Sequence, residues 1–509
     1  MTFIFTILLA ITCYQFFAVG FAAGALFIKL AVVALAMCVN YTFGREYKAR
    51  RGDKETIQKF AIVSCSLVVG MLATSTNNLL IANMLLDASS MLFAGLLLVG
   101  VNVFGLEANR NLKIAFNYLF ASALTSVFSY LGSAFILLST GTYNMQAAVT
   151  NISSNVSEND QLLFGAGTAL WVFKLLFMLG MFPFHHYVFS ASRVLTLPAN
   201  FFLFTSMKIA PLFIAFLASE MVAAARFESV KMFIITSGVG SIIVASFALY
   251  ESFALRHFLA ASSLSATAFT VIVLAFGGAY PVAVAALNFL IYCITLSTFI
   301  AFFVFVVERT QAKNNVIDSA DEIRTVGELK LIDLFKIKVM KAGPVNVREL
   351  ENDEIAEDIF RWVALSRKYG AEFDLSRTHY LKIILTCVSF SLLSMGAIPF
   401  TPGFVGKFQA IGLLVHGGHS IVAVAIAISS AVATVWYVMV AFKIVAGIDE
   451  AAEHPDKISK KNNKAFSIRG LLNVATVFIF IFVILMLFAV LGMQGWFMHI
   501  LTAGVVAMW

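Results

Sequence analysis

The sequence predicts an all-α polytopic membrane protein, with about thirteen transmembrane helices in two inverted repeats, each repeat carrying a discontinuous helix. Three observations lead there. The chain is 60% hydrophobic and only 12% charged, where a soluble domain is usually about 25% charged. Its apolar runs repeatedly exceed about 18 residues, enough to cross a hydrocarbon core. Two of those runs, FKLLFMLGMFPFHHYVF (173–189) and SMGAIPFTPGFVGKF (394–408), share a Gly-x-x-Pro-Phe break with a lone lysine nearby. Lipid leaves helices and closed barrels as the only spanning structures. The runs lack the period-2 alternation of strands, so they read as helices.

In chain order the spans are 3–21, 23–43, 60–76, 79–105, 112–139, 163–189, 196–220, 230–250, 255–277, 281–307, 378–415, 419–446 and 468–495. The first has no basic stretch before it and no small-x-small cleavage site, so it reads as a retained span and not a signal peptide. Residues 1–78 form an N-terminal transmembrane block, 79–220 a first half and 230–446 a second half. Within the second half lies the hydrophilic insert 308–377, and residues 447–509 hold a basic loop and a last helix. The insert reads as two amphipathic helices around Gly343-Pro344, with no His, Cys or phosphate-binding loop between 327 and 370.

Loop charges orient the chain. REYKARRGDKETIQK (45–59), the insert, and 447–469 with its lysines fall on one side. The opposite side receives 140–162, which has no Lys or Arg, the turns 278–280 and 416–418, and Arg226 and Lys231. Lys and Arg mark the cytoplasmic or matrix side, so the basic loops and the insert lie inside. The net charge of +7 is read as orientation, not nucleic-acid binding. Asn151 and Asn155 head Asn-x-Ser triplets on the outer side. The five cysteines, Cys13, Cys38, Cys65, Cys293 and Cys387, show no metal or disulfide spacing.

Charges inside the apolar spans carry the chemistry. Asp87, Lys174, Lys208 and Lys407 lie well within helices. Each costs about 2.5–3.5 kcal/mol at a helix centre on insertion scales. Such residues face the bundle interior and mark ion or proton paths; a structural or snorkelling lysine is the plainer alternative. Burial disfavours an ammonium and a nearby carboxylate favours it. Lysine beside Asp87 is therefore suited to gain and lose a proton as the carboxylate moves. Pro183 and Pro399 free backbone groups at membrane depth, which is tolerated where they are buried in protein or line a cavity. Paired breaks in two halves point to inverted repeats with a site in each.

Between the halves, Ser262, Ser263, Ser265, Thr267 and Thr270 cluster in 255–277, and Asn288, Tyr292, Thr295, Ser297 and Thr298 in 281–307. They suit a polar file between Lys208 and Lys407; helix–helix packing is the alternative. His185 and His186 at the first break read either as proton-exchanging groups or as hydrogen-bonding pins.

Several segments together resemble the antiporter-like proton-translocating subunits of respiratory complex I. FKLLFMLGMFPFHHYVF with SMKIAP resembles their FK…PFH-aromatic segment and following K-[LIV]-A-P. LRHFLAASSLS, LEANRNLKIAFNYLF and SLLSMGAIPFTPGFVGKF resemble three more of their segments. The likeness runs from about residue 79 to 446, apart from the insert. Lysine at 407, where subunit 4 is expected to carry glutamate, and a short C-terminal end favour chain 2 of NADH:ubiquinone oxidoreductase. Departures are Asp87 for the usual glutamate, Ala261 for a tyrosine and Phe400 for a second proline. The resemblance implies proton translocation through Asp87, Lys174, Lys208 and Lys407, in an NADH:ubiquinone reductase whose redox centres lie in other chains. It implies other membrane-arm subunits and lipids as partners, with the insert on a neighbouring matrix-side subunit, and no cofactor or nucleic acid on this chain. It places the protein in the mitochondrial inner membrane, with the bacterial plasma membrane second. The alternatives are a subunit of a cation/proton antiporter or membrane-bound hydrogenase, a structural membrane-arm module without transport, and a small-solute carrier.

Overall fold

The computed structural model describes residues 54–73, 76–99, 106–154, 157–225, 228–250, 255–313, 389–399 and 401–452. The expected spans 3–21, 23–43 and 468–495 and most of the insert lie outside these residues. The described residues are helical between turns, apart from one isolated bridge joining Asn78 to Asn144. Among them, eight spans are long and apolar enough to cross a membrane, one of which, Pro198–Ala224, runs through a 3₁₀ turn.

The described residues open with α1 (Lys54–Ala73), α2 (Leu79–Leu98) and α3 (Leu106–Thr140). Asn78 caps α2 by accepting from the Leu80 and Ile81 amides, which satisfies donors that a helix start leaves orphaned. A short helix missed by the hydropathy reading, α4 (Met145–Ser153), follows and is capped in the same way by Asn144. The Asn151 amide of α4 donates to the Thr140 carbonyl at 2.9 Å, so this side chain serves as a tie to α3. Next is α5 (Glu158–Met178), whose start has a Ser157 cap and acids Glu158 and Asp160 in its first turn, favourable beside a helix N-terminus. Among the described residues, α3 and α5 share the most extensive helix–helix contact. A Cβ on Gly132 would fall 2.5 Å from the Gly167 carbonyl oxygen. Small residues thus let these two backbones approach directly.

After the first break come α6 (His186–Val194), α7 (Leu197–Phe204), a 3₁₀ turn at Ser206–Lys208, and α8 (Ile209–Ala224). Then come α9 (Glu228–Tyr250), α10 (Leu255–Leu274) and α11 (Ala279–Lys313). A helical stretch at 389–395, the second break, α12 (Pro402–His416) and α13 (Ser420–Ala452) complete the described order. Here α9 packs on α10 and α13, while α11 packs on α10 and α12.

One expectation is corrected. The span 196–220 is not one helix: it is interrupted at Thr205–Lys208. Pro211 has no amide proton for the Met207 carbonyl and crowds it, so the helix restarts around Lys208. The two breaks share Gly-x-x-Pro-Phe but turn on different residues of that pattern. At the first, Gly180 takes the left-handed conformation (φ 69°), and the Gly180 and Met181 amides donate back to the Phe177 and Leu176 carbonyls. At the second, the same bonds run from Ala397 and Ile398 to Ser394 and Leu393. Ala397, not Gly396, is then the left-handed residue (φ 58°). Both turns close helices in the Schellman manner, with their prolines at different offsets.

Candidate functional site

The first constellation sits where α2, α3 and α5 meet. The helix period and its inward face leave Lys174 on α5 1% exposed, aimed at the other two. Its ammonium lies 3.1 Å from Asp87 Oδ1 on α2. The shorter acid therefore reaches the lysine. Lys174 Nζ also donates to Ser126 Oγ (2.7 Å), Ser122 Oγ (3.1 Å) and the Ser122 carbonyl (3.2 Å) on α3. Ser126 has one hydroxyl proton and two acceptors for it: Asp87 Oδ1 at 2.5 Å and the Ser122 carbonyl at 2.8 Å. This hydroxyl can point at the acid or back at its own helix, while its oxygen accepts from the lysine. Asp87 is 23% exposed, which gives the carboxylate room to swing away from Lys174.

The second constellation uses the unexpected 3₁₀ turn. Lys208 is 2% exposed; its Nζ donates to Ser263 Oγ and Thr267 Oγ1, both at 2.6 Å, and to the Ser263 carbonyl at 3.2 Å. All three acceptors belong to α10, one turn apart. Among the described residues Lys208 has no carboxylate partner, so neutral oxygens alone solvate it. The buried Tyr292 hydroxyl of α11 lies beside Ser262 and Ser263 without a well-formed hydrogen bond. Ser262 itself contacts Met395 Sδ at 3.8 Å.

Lys407 on α12, 9% exposed, donates to the Met395 carbonyl at 3.1 Å and lies 5.2 Å from the centre of the Phe269 ring. That carbonyl is the one that residue 399 would take in a continuous helix. Pro399 has no N–H to offer it, so the break itself makes the lysine's acceptor. A Cβ on Gly406 would meet Asn288 Oδ1 at 2.8 Å. Asn288 therefore sits against the backbone beside Lys407, and its amide reaches Thr270 Oγ1 on α10 at 3.5 Å.

The proline rings of both breaks are exposed, and the freed backbone is satisfied inward. The Phe182 amide donates to Ser241 Oγ (2.8 Å), its carbonyl accepts from Ser237 Oγ (2.5 Å), and the Tyr187 hydroxyl donates to the Met178 carbonyl (2.8 Å). At the second break, Thr434 Oγ1 donates to the Gly396 carbonyl.

Some expected members do not join. His185 stacks on Phe182 and His186 meets Ser190 at 3.2 Å; neither is a partner of Lys174. Thr295, Ser297 and Thr298 donate to carbonyls of their own helix at 2.9, 2.6 and 3.0 Å, the usual back-bonding of buried hydroxyls. Sequence reading missed Ser122 and Ser126, and with them Asn83, Ser129 and Ser133. The available signal was the stripe SALTSVFSYLGS (122–133), with hydroxyls recurring every three or four residues along one helix face.

Comparison with known proteins follows the same outline. Residues 76–333, just over half of the chain, match the family model described as NADH:quinone oxidoreductase/Mrp antiporter, transmembrane. NADH-quinone oxidoreductase subunit N of Mycobacteroides abscessus is 26% identical over 327 residues, 64% of this chain. That alignment spans about half (52%) of the relative's own length. Three solved assemblies contain chains of the same fold. One is the archaeal membrane-bound sulfane sulfur reductase, a respiratory membrane complex (TM-score 0.65, 14% identity, 96% of this chain and 82% of that chain). Another is the Mrp complex of Dietzia sp. DQ12-45-1b (0.62, 13%, 99% and 91%). The third is respiratory complex I from Thermus thermophilus (0.56, 16%, 92% and 83%).

Proposed function

This chain belongs to the transmembrane family shared by NADH:quinone oxidoreductases and Mrp antiporters, and from that premise we propose that it translocates protons as a membrane subunit of respiratory complex I, in the position of chain 2. The observation that carries the reading is the Asp87–Lys174 pair, 3.1 Å apart and bound to two serines inside the bundle. A charge pair at membrane depth is costly, and this one is built to change. With Asp87 against it, the ammonium of Lys174 is stabilised. When the carboxylate swings outward, the ammonium keeps only neutral serine partners, and giving up its proton becomes easier. Lys208, held by Ser263 and Thr267, and Lys407, on the break carbonyl of Met395, are the next two stations. Thr270 and Asn288 lie between them.

In this reading 79–220 and 230–446 are the two antiporter-like halves, each contributing one break. The chain moves protons while neighbouring subunits carry out NADH:ubiquinone oxidoreduction. The membrane is the mitochondrial inner membrane, the partners are other membrane-arm subunits and lipids, and the insert 308–377 meets a matrix-side neighbour. A subunit of a cation/proton antiporter is the second reading, favoured by the near-complete fold match to the Mrp complex.

The test is Lys174→Met in the assembled complex, with proton uptake into inverted vesicles measured per NADH oxidised. At least a halving of that ratio, at normal assembly, is expected. Normal stoichiometry in Lys174→Met would overturn the proposal. NADH-independent, sodium-driven proton exchange by the purified assembly would decide for the antiporter reading.

A further inference from the structure

Three separate helices set the Asp87–Lys174 contact, and one buried side chain outside that contact ties all three together. Asn83, 2% exposed, lies on α2 one turn before Asp87. Its amide nitrogen donates to Ser133 Oγ at 2.9 Å and to the Ser129 carbonyl at 3.5 Å, both on α3. Its amide oxygen accepts from Ser129 Oγ at 2.6 Å on α3 and from Trp171 Nε1 at 2.8 Å on α5. A primary amide offers two donors and two acceptor lone pairs, and here all four are used.

Each arm ends next to a member of the ion-pair site. Asp87 follows Asn83 by four residues, Lys174 follows Trp171 by three, and Ser126 precedes Ser129 by three. Residues three or four apart share a helix face. At about 1.5 Å of rise per residue, the clamp lies roughly 5–6 Å along the helices from the pair. The helices α3 and α5 are already held by backbone contact at Gly132 and Gly167. The side-chain hydrogen bonds that tie α2 to them come from Asn83 and Asp87; Ser90 donates to its own helix. When Asp87 releases Lys174, Asn83 keeps side-chain hydrogen bonds from α2 to both α3 and α5, beside the apolar packing of α2. A displacement of about 1 Å would lengthen the pair beyond hydrogen-bond range.

We propose that Asn83 is the positioning residue of the Asp87–Lys174 pair, a fixed pivot that lets the carboxylate let go and return without α2 shifting. The inference rests on the proton-transfer reading of that pair. It assigns Asn83 no proton to carry, because an amide with every position occupied is a pin.

The test uses membranes containing the assembled complex and measures protons moved per NADH oxidised, with assembled complex quantified separately. Asn83→Leu, similar in size and unable to hydrogen-bond, is expected to lower that ratio twofold or more. Trp171→Phe and Ser133→Ala each remove one of the four bonds and are expected to give smaller losses of the same kind. If Asn83→Leu does not assemble, these two single-bond variants decide the question by the same ratio. The Asn83→Leu, Asp87→Asn double variant is expected to be no worse than Asp87→Asn alone, because both act through one contact. Multiplying losses in the double variant, or lower assembly with an unchanged ratio across the series, overturns the proposal. Normal pumping in Asp87→Asn overturns the proton-transfer reading beneath it. Impaired pumping in Asp87→Asn with a normal ratio in Asn83→Leu and Trp171→Phe overturns the role of Asn83 alone.

Discussion

Replacing Asp87 with asparagine deletes one negative charge 3.1 Å from Lys174 Nζ and changes the shape of the site very little. At an effective dielectric of about 20, two unit charges at that separation attract by about 5 kcal/mol. Asp87 is only partly enclosed by this chain, at 23% exposure, and the three contacts from Ser122 and Ser126 persist. Removing one partner of a buried pair typically costs about 3–5 kcal/mol, and the lower end suits this half-buried acid. That loss falls on the proton-loaded lysine, which keeps only neutral partners there. Proton uptake into inverted vesicles, followed by dye quenching at matched NADH oxidation, is expected to fall several-fold in Asp87→Asn. Asp87→Glu restores the charge, and the partial exposure of the site leaves space for one more methylene, so that variant is expected to pump. Normal pumping in Asp87→Asn, with assembly intact, would show that the pair holds helices together and does nothing more.

Other consequences follow from single contacts. Ser126→Ala removes the hydroxyl shared by Asp87 and Lys174 and is expected to lower the proton-to-NADH ratio by less than Asp87→Asn; an equal or greater loss would make Ser126 a principal carrier. Gly132→Ala places a methyl 2.5 Å from the Gly167 carbonyl and is expected to separate α3 from α5, reducing both assembly and pumping; wild-type levels of both would refute the tight crossing. Ala397→Gly relieves about 1–2 kcal/mol of left-handed strain against about 0.5–1 kcal/mol of added chain entropy. Its thermal inactivation in detergent is therefore expected to be no faster than wild type, and faster loss would contradict the conformation at the second break.

Much of this protein was legible in its residues, because the bilayer imposes one dominant rule. Apolar runs longer than a hydrocarbon core must be helices, and a charge inside one must find company. Asp87, Lys174, Lys208 and Lys407 stand out on that ground alone, as do the breaks at Pro183 and Pro399. Hydropathy says nothing, however, about which face of a helix meets which neighbour. The two breaks share Gly-x-x-Pro-Phe, yet Gly180 pairs with Ala397, since a helix end is defined by its closing hydrogen bonds and not by its proline. Pro211 signalled the interruption before Lys208 only once the lost amide at that position was weighed against a continuous span.

The serines of α3 are the clearest case of what tertiary structure alone decided. Ser122, Ser126, Ser129 and Ser133 were missed in one dimension, while Thr295, Ser297 and Thr298 looked suited to a polar file. Packing against α2 and α5 gives the first group partners across helices, while the second group bonds to carbonyls of its own helix. A hydroxyl's role is set by the acceptor within about 3 Å of it, and for Ser126 and Ser129 that acceptor comes from residues 39 and 46 positions away in the chain. Composition and spacing determined that charges would be buried here and in roughly which spans. The crossing of α3 and α5 at Gly132 and Gly167, with α2 tied to both through Asn83, decided which of those charges touch.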